Sequence, residues 1–363
     1  MSFCGSYRHD DVEFLLKRLQ QQPFIDITTK EKLIQSGARH YSEMLSPEAL
    51  PSPLYQKVFN NAFSANRKQM ALGCLSLATL INSKRNNSIT LVSLVRAGTP
   101  VGVVIKHLLQ KAMSRKVKHY SISIIRDRGI DETALNYILD QGHSPESIVF
   151  IDGWTGKGVI SKVHKNAISD FNLRKNIEID AGLYVLSDLA GSAAYAASSK
   201  DYLIPSSILN ATVSGLVSRS LLNSAIGPGD FHGCVYYEEF KSHDISIEFV
   251  DNLVEDAMSI FKSCGLQKIE PIDREEMEKV STKFLHKMMI DYGVSDVNYI
   301  KPGIGEATRV LLRRVPKMLI LRDANASDVQ HLKVLAKEKL VPFIIDNSLP
   351  YQAVSLIGSN LDG

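Results

Sequence analysis

In the stretch Ser147-Ile-Val-Phe-Ile-Asp152-Gly153-Trp154-Thr155-Gly156-Lys157-Gly158, one carboxylate ends an apolar run just ahead of a turn. Gly153, Gly156 and Gly158 let the backbone turn its N–H groups toward an anion. A helix opening after Gly158 would add its dipole. Thr155 supplies a hydroxyl and Lys157 a cation. The pattern suits a phosphate cradled by the turn, with Asp152 serving a sugar hydroxyl or a metal-bound phosphate. The plain alternative is a strand–turn–helix that uses glycine for tightness. The Walker A spacing fails because Gly158, not Ser or Thr, follows Lys157, and no GxGxxG is present.

Two further segments carry charge at strand ends. Thr90-Leu-Val-Ser-Leu-Val95-Arg96-Ala97-Gly98-Thr99-Pro100 reads as strand, tight turn and helix start, with a cation in the turn. His119-Tyr-Ser-Ile-Ser-Ile-Ile125-Arg126-Asp127-Arg128-Gly129 reads as a strand running into a charged loop. That loop is either solvated or able to close over an anionic substrate. Two cysteines lie near histidines: Cys4 with His9 following, and Cys234 with His232, Asp230 and His243 nearby. A thiol nucleophile would need such an imidazole and an orienting carboxylate. A buried, inert cysteine is the commoner case.

These segments need a scaffold of alternating strands and helices. Strands are expected at Ile89–Val95, His119–Ile125, Ser147–Ile151 and Leu183–Leu186. Helices are expected from Thr99 to Met113, over Asp131–Leu139 and from Gly158 onward. That alternation implies a parallel sheet covered on both faces. Residues 1–87 read mainly as helix, at Asp11–Gln22 and Tyr55–Ser83. Residues 188–246 read as an irregular cap, followed by helices at Glu248–Lys262 and Arg274–Met289. From Asp296 a small α/β sandwich is expected. Its parts are a helix at Gly305–Arg313, a strand at Lys317–Leu321 and a helix from a Ser327–Gln330 capping box to Lys337. A strand at Val341–Ile345 and a short helix at Pro350–Leu356 complete it.

The chain has 363 residues, 44% hydrophobic and 22% charged, which fits two globular domains rather than a disordered or fibrous chain. No apolar run reaches the roughly 18 residues of a membrane span. The N-terminus lacks the pattern of a signal peptide. Four scattered cysteines without a CxxC pair fit a reduced, cytoplasmic setting and argue against a structural zinc site. Basic residues exceed acidic ones by three. Residues 298–363 hold nine of the basic and six of the acidic residues, so that segment carries the excess and is the place to look for an anionic partner. A solvated basic face is the alternative.

Taken together, these motifs resemble a type I phosphoribosyltransferase. More closely, the chain resembles a bacterial family of tellurite-resistance and stress operons. In that family a phosphoribosyltransferase-like domain is fused to a PELOTA-type RNA-binding domain, and some members are labelled cysteine protease StiP. The resemblance rests on HYSEML (His40–Leu45), LVSLVRAGTPVGV, HYSISIIRDRGID, FIDGWTGKG and DYLIPSSILNATVSGLVSR (Asp201–Arg219), and on the segment after Lys301. It implies an α/β phosphoribosyltransferase-like domain over residues 1–290, with its parallel-sheet core near 88–190 and a hood near 191–246. A PELOTA-like α/β/α sandwich over 296–363 would follow.

The implied activity is phosphoribosyl transfer from phosphoribosyl pyrophosphate to an unidentified base-like or RNA-linked acceptor. Mg²⁺ would be held mainly through the substrate, with no direct protein ligand. Asp152, Gly153, Thr155, Gly156, Lys157 and Gly158 would bind the ribose phosphate. Arg96, Ala97 and Gly98 would bind the pyrophosphate, with a non-proline cis peptide expected around Arg96–Gly98. Arg126 and Arg128 would close over the site. Asp127 or Asp188 could supply the second carboxylate that family members place beside the first. Asp201, Tyr202, Asn210 and Arg219 are the hood's candidates for the acceptor. Gly303, Gly305, Glu306, Arg309 and Arg322 are the candidates for RNA, and a homodimer remains open. A cysteine hydrolase and a non-catalytic nucleotide- or RNA-binding protein are the competing readings.

Overall fold

A computed structural model describes residues 3–20, 24–313 and 315–358. Residues 21–22 of the expected first helix and the last five residues of the 296–363 span lie outside them.

The larger unit is built on a sheet of six parallel strands. These are β1 (Glu13–Phe14), β2 (Ile89–Leu94), β3 (Val117–Ile122), β4 (Ile148–Ile151), β5 (Leu183–Val185) and β6 (Tyr195–Ala196), lying side by side as β1-β3-β2-β4-β5-β6. Alternation along β2 explains the layering. Ile89 and Leu91 face one core with α2 (Pro53–Lys84), α3 (Gly98–Lys111) and α6 (Ser246–Cys264). Val92 and Leu94 face the other with α4 (Glu132–Asp140) and α5 (Val159–Lys175). Both faces are covered, so β2 is buried throughout. Local chemistry sets the helix starts. Ser52 accepts from Tyr55 N, with Pro53 opening α2, and Asp131 accepts from Ala134 N to cap α4.

α3 begins where β2 ends, and one glycine permits it. A Cβ on Gly98 would lie 2.3 Å from the Ile151 carbonyl oxygen and 3.0 Å from Asp152 Cα. Backbone meets backbone there, so no side chain can move aside. Gly98→Ala is expected to cost about 1–3 kcal/mol, read as a lower urea midpoint. The Val95–Arg96 peptide is cis, one bond ahead of the expected Arg96–Gly98 window.

Three expectations are corrected. The expected helix at Asp11–Gln22 is instead β1 and a second two-residue strand, Lys17–Arg18, paired with Gly233–Cys234. Val12, Phe14, Leu15 and Leu16 are all buried, because the segment adds to the sheet edge rather than turning one stripe inward. Pro350–Leu356 is not a helix: β10 (Ala353–Leu356) is a buried central strand. It lies antiparallel to β7 (Ile300–Pro302) and β8 (Met318–Leu321), and β8 pairs in parallel with β9 (Phe343–Ile345). Ser327 opens a 3-10 turn rather than a side-chain cap. Behind this second sheet run α8 (Ile304–Arg313) and α9 (Gln330–Glu338). The Arg126–Gly129 loop is the tight tip of a hairpin between Ile124–Ile125 and Gly129–Ile130.

The C-terminal sheet docks firmly on the larger unit. Asp201 accepts from Ile304 N at 2.9 Å and from Gln352 N at 2.8 Å. Lys157 Nζ donates to the Val297 carbonyl at 2.7 Å, and Tyr351 OH donates to the Leu189 carbonyl at 3.3 Å. Gly305 lies against the Trp154 ring and Gly303 against Leu189.

Candidate functional site

The carboxyl ends of β2 and β4, the hood and the start of α8 enclose a cleft of about 1050 Å³. Its lining includes Arg96, Ala97, Asp152 and Thr155–Gly158 from the sheet's turns. The hood side adds Tyr41, Glu48, Asn210 and Arg219, and the C-terminal unit adds Lys301, Glu306 and Arg309. Eight basic side chains line it (Lys30, Arg96, Arg126, Lys157, Arg219, Lys301, Arg309 and Lys339) against five acids (Glu48, Asp152, Asp296, Glu306 and Glu338). The cleft's excess of basic side chains comes from the larger unit, five against two, while the C-terminal unit contributes three of each sign.

Arg96 is anchored rather than poised. Its guanidinium meets Glu48 at 2.7 Å and donates to the Val217 carbonyl at 3.1 Å and to Asn210 Oδ1 at 3.2 Å, with 8% of the side chain exposed. Arg219 donates to the Tyr41 and Met44 carbonyls and sits 5.5 Å over the Tyr41 ring. Its Nη1 is buried without a partner. Arg126 lies 5.2 Å from the same ring, while its backbone N–H donates to the Tyr41 hydroxyl. Arg309 lies 4.3 Å over Trp154, a contact worth about 0.5–2 kcal/mol. Tyr41, Glu48 and the Arg309–Trp154 stack were not legible as a unit, because the partners come from distant parts of the chain.

The other expected residues have local duties. Thr155 Oγ1 donates to Asp188, whose carboxylate also accepts from Ala190 N and Ala193 N. Asp152 accepts from Gly153 N. Arg128 pairs with Glu43, and Asp127 with Arg126. Asp201 holds the C-terminal unit, Tyr202 is buried in the core, and Asn210 holds Arg96. Gly303 and Gly305 pack at the junction, Glu306 and Arg309 line the cleft, and Arg322 acts on Asp201 through charge. No group of three or more His, Cys, Asp and Glu side chains is placed to hold a metal among the described residues.

Enclosure by protein pushes Asp152 up to about 6. Gly153 N and Arg309 oppose the rise, and Glu306 adds to it. Enclosure also pushes Lys157 down to about 7, and Lys301 adds to the fall. The signs are opposite in effect. A raised acid favours the fold less as pH climbs toward 6, and a depressed lysine favours it more as pH climbs above 7. Trp154 is the chain's one tryptophan, so its emission reports on this cleft. Steps near pH 6 and pH 7 are expected, and Asp152→Asn should remove the lower one.

The thiols lie elsewhere. Cys74 and Cys234 are fully buried, and burial pushes each up to about 12. The partners expected for Cys234 are engaged otherwise. His232 Nδ1 meets Ser123 Oγ at 2.7 Å, Asp230 pairs with Lys17, and His243 meets Ser242. Cys264 is exposed as the last residue of α6, where the helix's negative end opposes a thiolate.

Cys4 is partly exposed, its Sγ 3.8 Å from the Gly5 carbonyl. Gly5 has φ +60°, and a Cβ there would lie 2.4 Å from the Gly215 carbonyl oxygen, so the Cys4–Gly5 turn is pressed onto the hood. The Arg18 guanidinium lies 5.2 Å from the Phe3 ring and 5.0 Å from the Tyr236 ring. Burial raises the Tyr236 phenol, which also feels both Arg18 and Cys4. A thiol, a cation and a phenol thus share one patch. Arg18 escaped the sequence reading because its segment read as helix. Among the described residues no thiol is hydrogen-bonded to an imidazole.

Residues 5–254 match the family described as tellurite-like stress resistance cysteine protease StiP. Over 366 aligned positions the chain is 39% identical to "Cysteine protease StiP" of Acinetobacter baylyi, covering 98% of this chain and 94% of that protein. The chain belongs to the StiP family. Residues 279–359 match the PELOTA RNA binding domain, so the StiP domain is fused to a PELOTA domain.

Solved structures add nothing to this. A multiple-substrate aminotransferase of Thermococcus profundus is 11% identical, with TM-score 0.23, covering 82% of this chain and 74% of that one. An aminotransferase of Eubacterium rectale is 10% identical, with TM-score 0.23, covering 93% and 84%. Likenesses this slight carry no argument.

StiP membership overturns the phosphoribosyltransferase expectation, and phosphoribosyl pyrophosphate as substrate falls with it. The transfer roles given to Asp152, Arg96, Arg126 and Arg128 lose their reaction. The same membership favours the cysteine-hydrolase alternative. Among the described residues, no helix is long and apolar enough to cross a membrane.

Proposed function

We propose that this chain is a cysteine-type hydrolase of the StiP family whose nucleophile is Cys4, carrying a C-terminal domain that binds RNA. The observation that carries the first part is the near full-length match to a relative named as a cysteine protease. The choice of thiol follows from the chemistry of the four candidates. Burial silences Cys74 and Cys234, and a helix C-terminus disfavours Cys264. Cys4 is the remaining thiol, partly exposed and on no helix C-terminus.

The test is hydrolysis of fluorescein-labelled casein by the native chain and by the four single Cys→Ser variants. Turnover that iodoacetamide stops and that only Cys4→Ser abolishes supports the assignment. Turnover lost only with Cys264→Ser would move the nucleophile there, and turnover in all four variants would end the thiol reading.

A further inference from the structure

We propose that the cleft between the StiP and PELOTA domains binds a short single-stranded RNA segment held from both walls at once. This rests on the RNA-binding reading of the C-terminal domain and extends it: the larger domain supplies half of the grip. It is independent of the thiol assignment.

Size is the first argument. A cleft of about 1050 Å³ sits at or above the upper end of the roughly 300–1,000 Å³ typical of sites for one small molecule. It has room for a ligand larger than one small metabolite. Charge is the second: the StiP wall contributes five basic side chains against two acids, so it supplies the net attraction, and the PELOTA wall contributes three of each sign.

The third argument separates RNA from an acidic peptide. Arg126 and Arg219 both lie over Tyr41, and Arg309 lies over Trp154. Tyr41 and Trp154 line the cleft beside these cations, so aromatic faces for bases and N–H groups for phosphates occur together. An acidic peptide would use the charge alone. Finally, Arg219 is almost wholly enclosed, yet its Nη1 has no partner. An unpaired buried donor is costly, and an acceptor arriving in the cleft would satisfy it.

The test is fluorescence anisotropy of 5′-fluorescein octauridylate with the full-length protein between 50 and 200 mM KCl. Arg126→Gln removes a cation from the StiP wall and Lys301→Gln one from the PELOTA wall. Arg219→Lys keeps the charge while removing the fork. Melting temperature confirms that each variant is folded. Each of the two Gln variants is expected to weaken binding and to take about 0.7 from the slope of log K against log salt. Arg219→Lys is expected to weaken binding with little change in slope.

If only Lys301→Gln matters, the RNA lies on the PELOTA domain alone; the shared cleft is then refuted while the RNA reading stands. If the native protein does not bind the octamer, both fail. If poly-L-glutamate competes as well as poly(U) at equal charge, the cleft takes a polyanion of any kind and the RNA assignment is overturned.

Discussion

Cys4→Ser is expected to lower thiol-dependent hydrolysis by about 10³-fold or more, the scale on which enzymes lose rate when a nucleophile is removed. The fold should not notice. Cys4 is only partly buried, and its Sγ makes one long contact, 3.8 Å to the Gly5 carbonyl. A serine keeps that contact, so the melting temperature should move by no more than about 1 °C, in line with surface substitutions. Arg18→Met separates activation from nucleophile. The stem still covers Phe3 and Tyr236, but the guanidinium that lies 5.0 Å from the Tyr236 ring is gone. The rate of thiol-dependent hydrolysis should fall while the melting temperature and the alkylation of Cys4 by iodoacetamide persist. A patch that only packs the N-terminal segment would leave the rate in place.

Asp201→Ala is expected to be the most damaging change at the junction of the two domains. The carboxylate accepts from Ile304 N and Gln352 N, at the start of α8 and just before β10. Hydrogen bonds to a charged acceptor are worth about 1.5–3 kcal/mol each. Removing the acceptor takes the partner from two amides at the junction, one of them on fully buried Ile304. The loss should reach about 3–5 kcal/mol, or roughly 6–20 °C in melting temperature for units of this size. Asn at the same position should lose less, because one oxygen still accepts. A drop below about 2 °C for Asp201→Ala would mean that the domains are held by other contacts.

The sheet was legible where burial makes it so. Ile148–Ile151 is a continuous apolar run, and Ile89–Leu94 is apolar but for Thr90 and Ser93, because both of their faces are covered. Asp11–Arg18 was misread because Val12, Phe14, Leu15 and Leu16 fit a helical stripe as well as a buried edge. What decides between them is β3 and the Gly233–Cys234 strand, more than a hundred residues away. Ala353–Leu356 was lost for a related reason: it is too short to show a period, and Pro350 suggested a helix start.

The site divides the same way. The glycine-rich turns after β2 and β4 could be seen in the sequence, and they do line a cationic cleft. Their resemblance to a phosphate cradle suggested a reaction, and turn chemistry cannot specify a reaction. The neighbours that define each patch were beyond reach, since Glu48 on Arg96, Arg309 on Trp154 and Arg18 beside Tyr236 are all contacts between distant segments.

The central claim is that Cys4 is the reactive thiol, and timed alkylation tests it most directly. The native folded protein is treated with a limiting amount of iodoacetamide, which modifies the most reactive accessible thiol first. Each cysteine is then followed by peptide mass spectrometry alongside casein hydrolysis. The account predicts that Cys4 is carbamidomethylated first, well ahead of exposed Cys264, and that activity falls in step with it. Cys4 reacting no faster than Cys264, or activity persisting once Cys4 is fully modified, would contradict it.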